Sequence, residues 1–204
     1  MTTLLKLQDL NVSFATPRGA LKAVRNVSIE LEAGESLGVV GESGSGKTVL
    51  SRATMGLLPS TATRTGAIVY QGEDISGWPS DKVRELWGVG MAMIFQDPMT
   101  ALNPVRRIGA QVTESLTVRL GMDKKAAKAR AIELLKRVRI PDPEGMLRKF
   151  PYQLSGGMRQ RIMIAIAVSC NPELLFADEP TTALDVTVQA QVLELLDELR
   201  KEYN

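Results

Sequence analysis

The residues best suited by type and spacing to do chemistry are Gly41-Glu42-Ser43-Gly44-Ser45-Gly46-Lys47-Thr48. They fit the phosphate-loop pattern G-x-x-x-x-G-K-[ST], whose glycines allow a tight loop that turns backbone N–H groups inward onto phosphate oxygens. Lys47 is the cation for the β- and γ-phosphates, and Thr48 supplies a hydroxyl suited to Mg²⁺. The motif requires a strand before it and a helix after it. Residues 36–40 form a short, mostly apolar run, read as a buried strand feeding the loop, and residues 47–58 read as a short helix stopped by Pro59.

A second constellation lies far downstream. Leu174-Leu175-Phe176-Ala177 reads as a buried strand and ends in Asp178-Glu179. Alone, such a pair is as readily a turn. In a phosphate-loop protein, Asp178 is the candidate Walker B aspartate, acting on Mg²⁺ through water. Glu179 then sits near the terminal phosphate, where a carboxylate can orient and polarise an attacking water. Gln96, just after Met93-Ile94-Phe95, offers a side-chain carbonyl to Mg²⁺ or to water.

These groups need a scaffold. At roughly 150 residues per domain, the 204 residues make one domain, or one with a small insertion. Strand patterns at 10–14, 27–31, 67–70 and 91–95 alternate with helical ones at 108–120, 124–138, 186–201 and from Gly157 or Met158 to Ala167. Strands alternating with helices, interrupted by a helical block, imply an α/β core with an inserted helical subdomain.

Composition removes several classes of function. With no histidine and one cysteine, the chain has no histidine–metal site, no histidine-based nucleophile triad, no disulfide scaffold and no cysteine-rich metal site. Cys170 reads as a small buried residue. The 25 basic and 23 acidic side chains leave a formal charge of +2, which demands no polyanionic partner. The nine basic residues within 121–150 read as a solvated helical face, because no aromatics interleave with them and nucleic acid is therefore not expected. No run approaches the roughly 18 apolar residues of a membrane span, and the start lacks the order of a signal peptide. A cytosolic domain is expected.

Leu154-Ser155-Gly156-Gly157-Met158-Arg159-Gln160-Arg161 resembles the signature of ATP-binding-cassette (ABC) ATPases. The resemblance covers the chain in order: Walker A at 41–48, Q-loop at Gln96, signature at 154–160, Walker B at 174–179 and D-loop at Ala183-Leu184-Asp185. It implies an α/β fold, a P-loop NTPase core of the ABC ATPase type with an N-terminal antiparallel β subdomain and an inserted helical subdomain. The expected organisation is a single, incomplete nucleotide-binding domain. Residues 1–96 form the β subdomain and Walker A core, 97–168 the helical signature subdomain, and 169–204 the Walker B and D-loop part of the core.

By the same resemblance, Lys47, Thr48, Gln96, Asp178 and Glu179 form one half of an ATP site, with Thr48, Gln96 and Asp178 toward Mg²⁺. Ser155, Gly156 and Gly157 complete the site of a facing partner, and Asp185 lies across that interface. Phe14 matches the position that stacks on adenine, with a core strand residue as the alternative. Arg159 and Gln160 shape the signature helix rather than bind phosphate. Partners implied are a second ABC ATPase subunit, alike or different, joined head-to-tail, transmembrane permease subunits, and an extracytoplasmic solute-binding protein. The place implied is the cytoplasmic face of the bacterial inner membrane, peripherally bound.

Phe95-Gln96-Asp97-Pro98-Met99-Thr100-Ala101-Leu102-Asn103-Pro104 and the 177–191 segment resemble ATPase subunits of dipeptide and oligopeptide importers. Nickel, glutathione and some glycoside importers share these features. The family's switch histidine lies on a strand after the D-loop helix, where this sequence stops, so a C-terminally truncated cassette is expected. Two functions follow: an energy-coupling ATPase of an importer, or a cassette that binds ATP but is deficient in hydrolysis. A soluble role in DNA repair or translation fits the Pro98–Pro104 loop less well, and an exporter is the alternative that lacks a fused membrane segment.

Overall fold

The computed structural model describes residues 3–181 and 186–203, which form two compact units divided between Trp87 and Gly88. In the first, apolar residues recur at every second position, and two long strands follow: β1 (Thr3–Thr16) and β2 (Gly19–Glu32), paired antiparallel. Leu5 and Leu7 are buried, then the phase shifts so that Leu10 and Val12 are buried. The shift occurs where the register slips around Asp9, whose φ is 48°. This bulge lets one strand keep its apolar face inward over fourteen residues.

Next come α1 (Lys47–Thr54), β3 (Ala62–Tyr70), the two-residue β4 (Glu73–Asp74) and α2 (Ser80–Glu85). The sheet order is β2-β1-β3-β4, every pair antiparallel, as expected of an N-terminal antiparallel β subdomain.

The run at 36–40 does not form the expected buried strand. It belongs to neither sheet, and Leu37, Val39 and Val40 are 49%, 49% and 94% exposed. An apolar run becomes a strand only where a neighbouring edge takes up its N–H and C=O groups. Among the described residues no ladder includes it. The helix that follows is also shorter than expected, ending at Thr54 rather than near 58.

The second unit holds β5 (Met91–Ile94), the short α3 (Pro98–Ala101), α4 (Ile108–Leu120), α5 (Lys124–Arg137), the short α6 (Pro143–Met146), α7 (Gly156–Ala167), β6 (Leu174–Ala177) and α8 (Val186–Tyr203). β5 and β6 pair in parallel, Met91 opposite Leu174 through Ile94 opposite Ala177. Asp123 caps α5 by accepting from the Lys125 and Ala126 amides, and Gly121 ends α4 in the left-handed conformation. The core is one cluster that includes Ile94, Val112, Leu116, Leu134, Leu135, Ile162, Ile164, Val192 and Leu195. α7 is apolar on most sides because it runs through this cluster. Val192, Leu195 and Leu199 form the buried stripe of α8.

Candidate nucleotide site

In the first unit, the glycine loop leads into α1. Gly46 sits just before the helix with φ 97°, and a Cβ there would lie 2.3 Å from the Ala23 carbonyl oxygen. Only glycine fits both that torsion and that approach. Lys47 Nζ donates to the Gly41 and Glu42 carbonyls at 2.9 and 3.0 Å, and the Ser45 amide donates back to the Glu42 carbonyl at 3.2 Å. The ammonium thus lies folded across the loop it would share with a phosphate. No acidic residue occupies the first turn of α1, so nothing offsets the positive end of the helix.

The far end of α1 is tied down by residues that the sequence reading did not single out. Arg64 donates to the Ala53 and Ser76 carbonyls, both at 2.7 Å, and Trp87 Nε1 donates to the Met55 carbonyl at 3.0 Å. Burial pushes the Arg64 guanidinium below the usual arginine range, while Asp74 acts the other way. No spacing rule marks an arginine on a strand as a helix anchor, because its partners are main-chain carbonyls.

An open groove runs between β2 and the loop, lined by residues including Leu21, Val24, Val39, Gly44, Gly46 and Lys47. Phe14 is half-buried on β1, opposite Leu21 on β2 and Ala62 on β3, and does not line that groove. Leu21, 60% exposed, does.

In the second unit, the ends of β5 and β6 bring three of the expected residues together. Gln96 Nε2 donates to Glu179 Oε2 at 3.0 Å. The Asp178 amide donates to the Ile94 carbonyl at 2.9 Å, and Asp178 itself is buried. Among the described residues no group of three or more acidic, histidine or cysteine side chains could hold a metal alone. One buried carboxylate and a glutamine carbonyl fit Mg²⁺, a hard cation commonly held by one or two carboxylates together with substrate phosphates.

The signature segment opens α7. Ser155 is its N-cap, with Oγ accepting from the Met158 amide at 3.3 Å, and Ser155 and Gly156 are exposed. Gly157 is half-buried, where a Cβ would come 3.1 Å from Val188 Cγ1 on α8. Arg159 donates to the Pro151 carbonyl at 2.9 Å and to Met99 Sδ. Gln160 is buried. Both side chains therefore make contacts within the fold. Arg161 reaches the Val138 carbonyl at 3.0 Å and Gln191 at 2.7 Å; burial, then the charge of Arg139, lowers its pKa. The Asp185 assignment lies outside the described residues.

Residues 24–182 match the sequence profile described as ABC transporter. The chain belongs to the ABC transporter family. Among its relatives, the oligopeptide transport ATP-binding protein OppD of Bacillus subtilis is 49% identical, over 99% of this chain and 57% of that protein. The dipeptide transport ATP-binding protein DppD of Haemophilus influenzae is 50% identical, over 98% of this chain and 61% of that one. The chain thus spans about three fifths of the length of these curated relatives. Among solved structures, the ABC cassette MJ0796, in a dimeric post-hydrolysis state bound to ADP and Pi, superposes with a TM-score of 0.86 at 26% identity. That match covers 98% of this chain and 84% of the cassette. The fold is that of an ABC ATPase cassette.

Proposed function

We propose that this chain is the ATP-binding and ATP-hydrolysing part of an energy-coupling subunit in a bacterial ABC importer for dipeptides or oligopeptides. The observation that carries the reading is the Gln96–Glu179 hydrogen bond at the paired ends of β5 and β6. It supports the reading because a carboxylate held by a neighbouring amide is suited to orient a water molecule. The reaction is ATP plus water to ADP plus phosphate. Gly41, Ser43, Gly44, Ser45, Gly46 and the start of α1 bind the phosphates through main-chain N–H groups, and Lys47 leaves its loop carbonyls to neutralise the β- and γ-oxygens. Glu179 accepts a hydrogen bond from the attacking water and polarises it, while Gln96 fixes the direction of the carboxylate. Asp178 and Gln96 would offer oxygens to Mg²⁺, which would supply neutralising charge for phosphate oxygens. Leu21, which lines the groove beside the phosphate loop, offers apolar surface to the base.

Ser155, Gly156 and Gly157 form a second anion-binding face at the start of α7, suited to the ATP of a partner cassette in a head-to-tail pair. The dimeric state of the MJ0796 cassette supports that pairing, and Asp185 would lie in the interface. No helix among the described residues is long and apolar enough to cross a membrane. In this reading attachment to the cytoplasmic face of the inner membrane comes from permease subunits, with cargo delivered by an external solute-binding protein. The peptide cargo is supported by the OppD and DppD relatives.

A cassette that binds ATP without turning it over is the second reading, favoured by the exposed 36–40 run just before the phosphate loop. Steady-state turnover of the chain beside Glu179→Gln, with ATP binding measured in parallel, decides between them. Turnover abolished by the substitution with binding retained supports the hydrolase. Binding without turnover in the unmodified chain supports the second reading.

A further inference from the structure

Glu179 has φ 44°, a left-handed conformation that residues with a Cβ seldom adopt and that persists only where the surroundings over-determine it. Gln96 holds its side chain from one side. The backbone is held from another. Gln160, only 1% exposed within α7, donates from Nε2 to the carbonyl of Pro180 at 2.5 Å. Proline has no N–H and a fixed φ, so its carbonyl is the one main-chain handle at that position. Pinning this oxygen fixes the Pro180–Thr181 peptide unit, and with φ of Pro180 set by its ring the turn just after Glu179 has little torsional freedom. A buried amide without such a partner would be costly, which makes the contact structurally obligatory.

We propose that Gln160 is a positioning residue for hydrolysis: through the Pro180 carbonyl it sets the turn from which Glu179 acts. The inference rests on the reading of Glu179 as the water-polarising group. Gln160 also stands one helical turn beyond Gly156, on the helix that Ser155 caps. The same rigid element therefore offers its first turn to a partner's nucleotide and holds the chain's own carboxylate in place. A displacement of α7 on docking would be felt directly at Glu179.

The test compares the full chain with Gln160→Met, which keeps length and apolar bulk but has no donor. Hydrogen–deuterium exchange across residues 177–181 should rise about tenfold while the amides of α7 stay protected. ATP turnover should fall roughly 10- to 100-fold in kcat, as expected of a small misplacement, with KM within about twofold. Unchanged exchange at 177–181 overturns the proposal, and so does faster exchange with an intact kcat. Should the methionine variant fail to fold, Gln160→Glu decides. Its buried carboxyl donates only when protonated, so its activity relative to the unmodified chain should recover as pH falls from about 8 to 6. A flat ratio overturns the proposal. Failure of the underlying reading is separately visible: Glu179→Gln would then leave hydrolysis intact.

Discussion

Gln96 and Glu179 stand at the same distance past two paired strands. Ile94 and Ala177 are register partners, and each functional side chain follows its strand's last residue by two positions. A parallel ladder carries both chains out of the sheet in the same direction, so equal offsets become a 3.0 Å hydrogen bond. One residue of slippage between the strands would turn one of the two side chains to the opposite face and break the pair. Replacing Gln96 by Ala should lower kcat about 10- to 100-fold, and Glu179→Gln by about 10²- to 10⁴-fold, the span of general-base contributions. ATP affinity should change little in either, measured by fluorescent-nucleotide titration.

At the phosphate loop, two substitutions separate shape from charge. Gly46→Ala places a Cβ against the Ala23 carbonyl at an unfavourable torsion, so ATP binding should be lost together with roughly 1–3 kcal/mol of stability. Lys47→Ala removes only a partly exposed ammonium. Its urea midpoint should stay near that of the unmodified chain while ATP affinity falls at least about tenfold.

Arg64→Met removes two charge-assisted bonds to main-chain carbonyls at the end of α1. Because the guanidinium is only about half removed from solvent, the expected loss is roughly 1–3 kcal/mol by urea unfolding rather than the sum for two fully buried bonds. ATP should bind more weakly as well, since α1 carries Lys47 and Thr48 at its other end.

Gly157 tests how closely α7 and α8 approach. Gly157→Ala brings a methyl group to 3.1 Å from Val188 Cγ1, so the helices must part by a few tenths of an ångström. Midpoint stability should drop by about 1 kcal/mol, and Val188→Ala in the same chain should restore most of it. A double-mutant cycle with no coupling would contradict the contact.

One contribution to stability toward acid pH is local to α5. The hydrogen bond from Arg130 holds the Glu133 carboxyl below the usual carboxylate range; burial opposes it, and the charges of Arg130 and Arg137 add to the lowering. A carboxyl whose folded pKa is depressed stabilises fully above its unfolded value of about 4.3, and that contribution is lost as pH falls through the folded value. Glu133→Gln should flatten that decline slightly in urea midpoints taken between about pH 5 and 2, the effect being small because the pair is solvated.

Local pattern made much of this legible. The 3.6-residue periods of α4, α5 and α8, the alternation of β1 and β2, and the phosphate-loop spacing are all written within a few residues of where they act. From local pattern the Gln96–Glu179 contact is two separate strand ends, and only the family resemblance joins them, since register between segments about eighty residues apart is a tertiary fact. Arg64, Trp87 and the Gln160–Pro180 bond left no mark, because each side chain seeks a main-chain carbonyl and a carbonyl has no residue type. The 36–40 run misled for the opposite reason. Its side chains ask for burial, but only a neighbouring edge can grant a strand.

That run also bears on how the chain behaves in concentrated solution. Val39 and Val40 stand in water beside main-chain groups that no ladder among the described residues takes up, a combination that invites edge-to-edge pairing between molecules. Light scattering should rise steeply with protein concentration and with added sulfate, and a lysine at position 40 should suppress it. The stickiness of the purified chain would then trace to five residues just ahead of its phosphate loop.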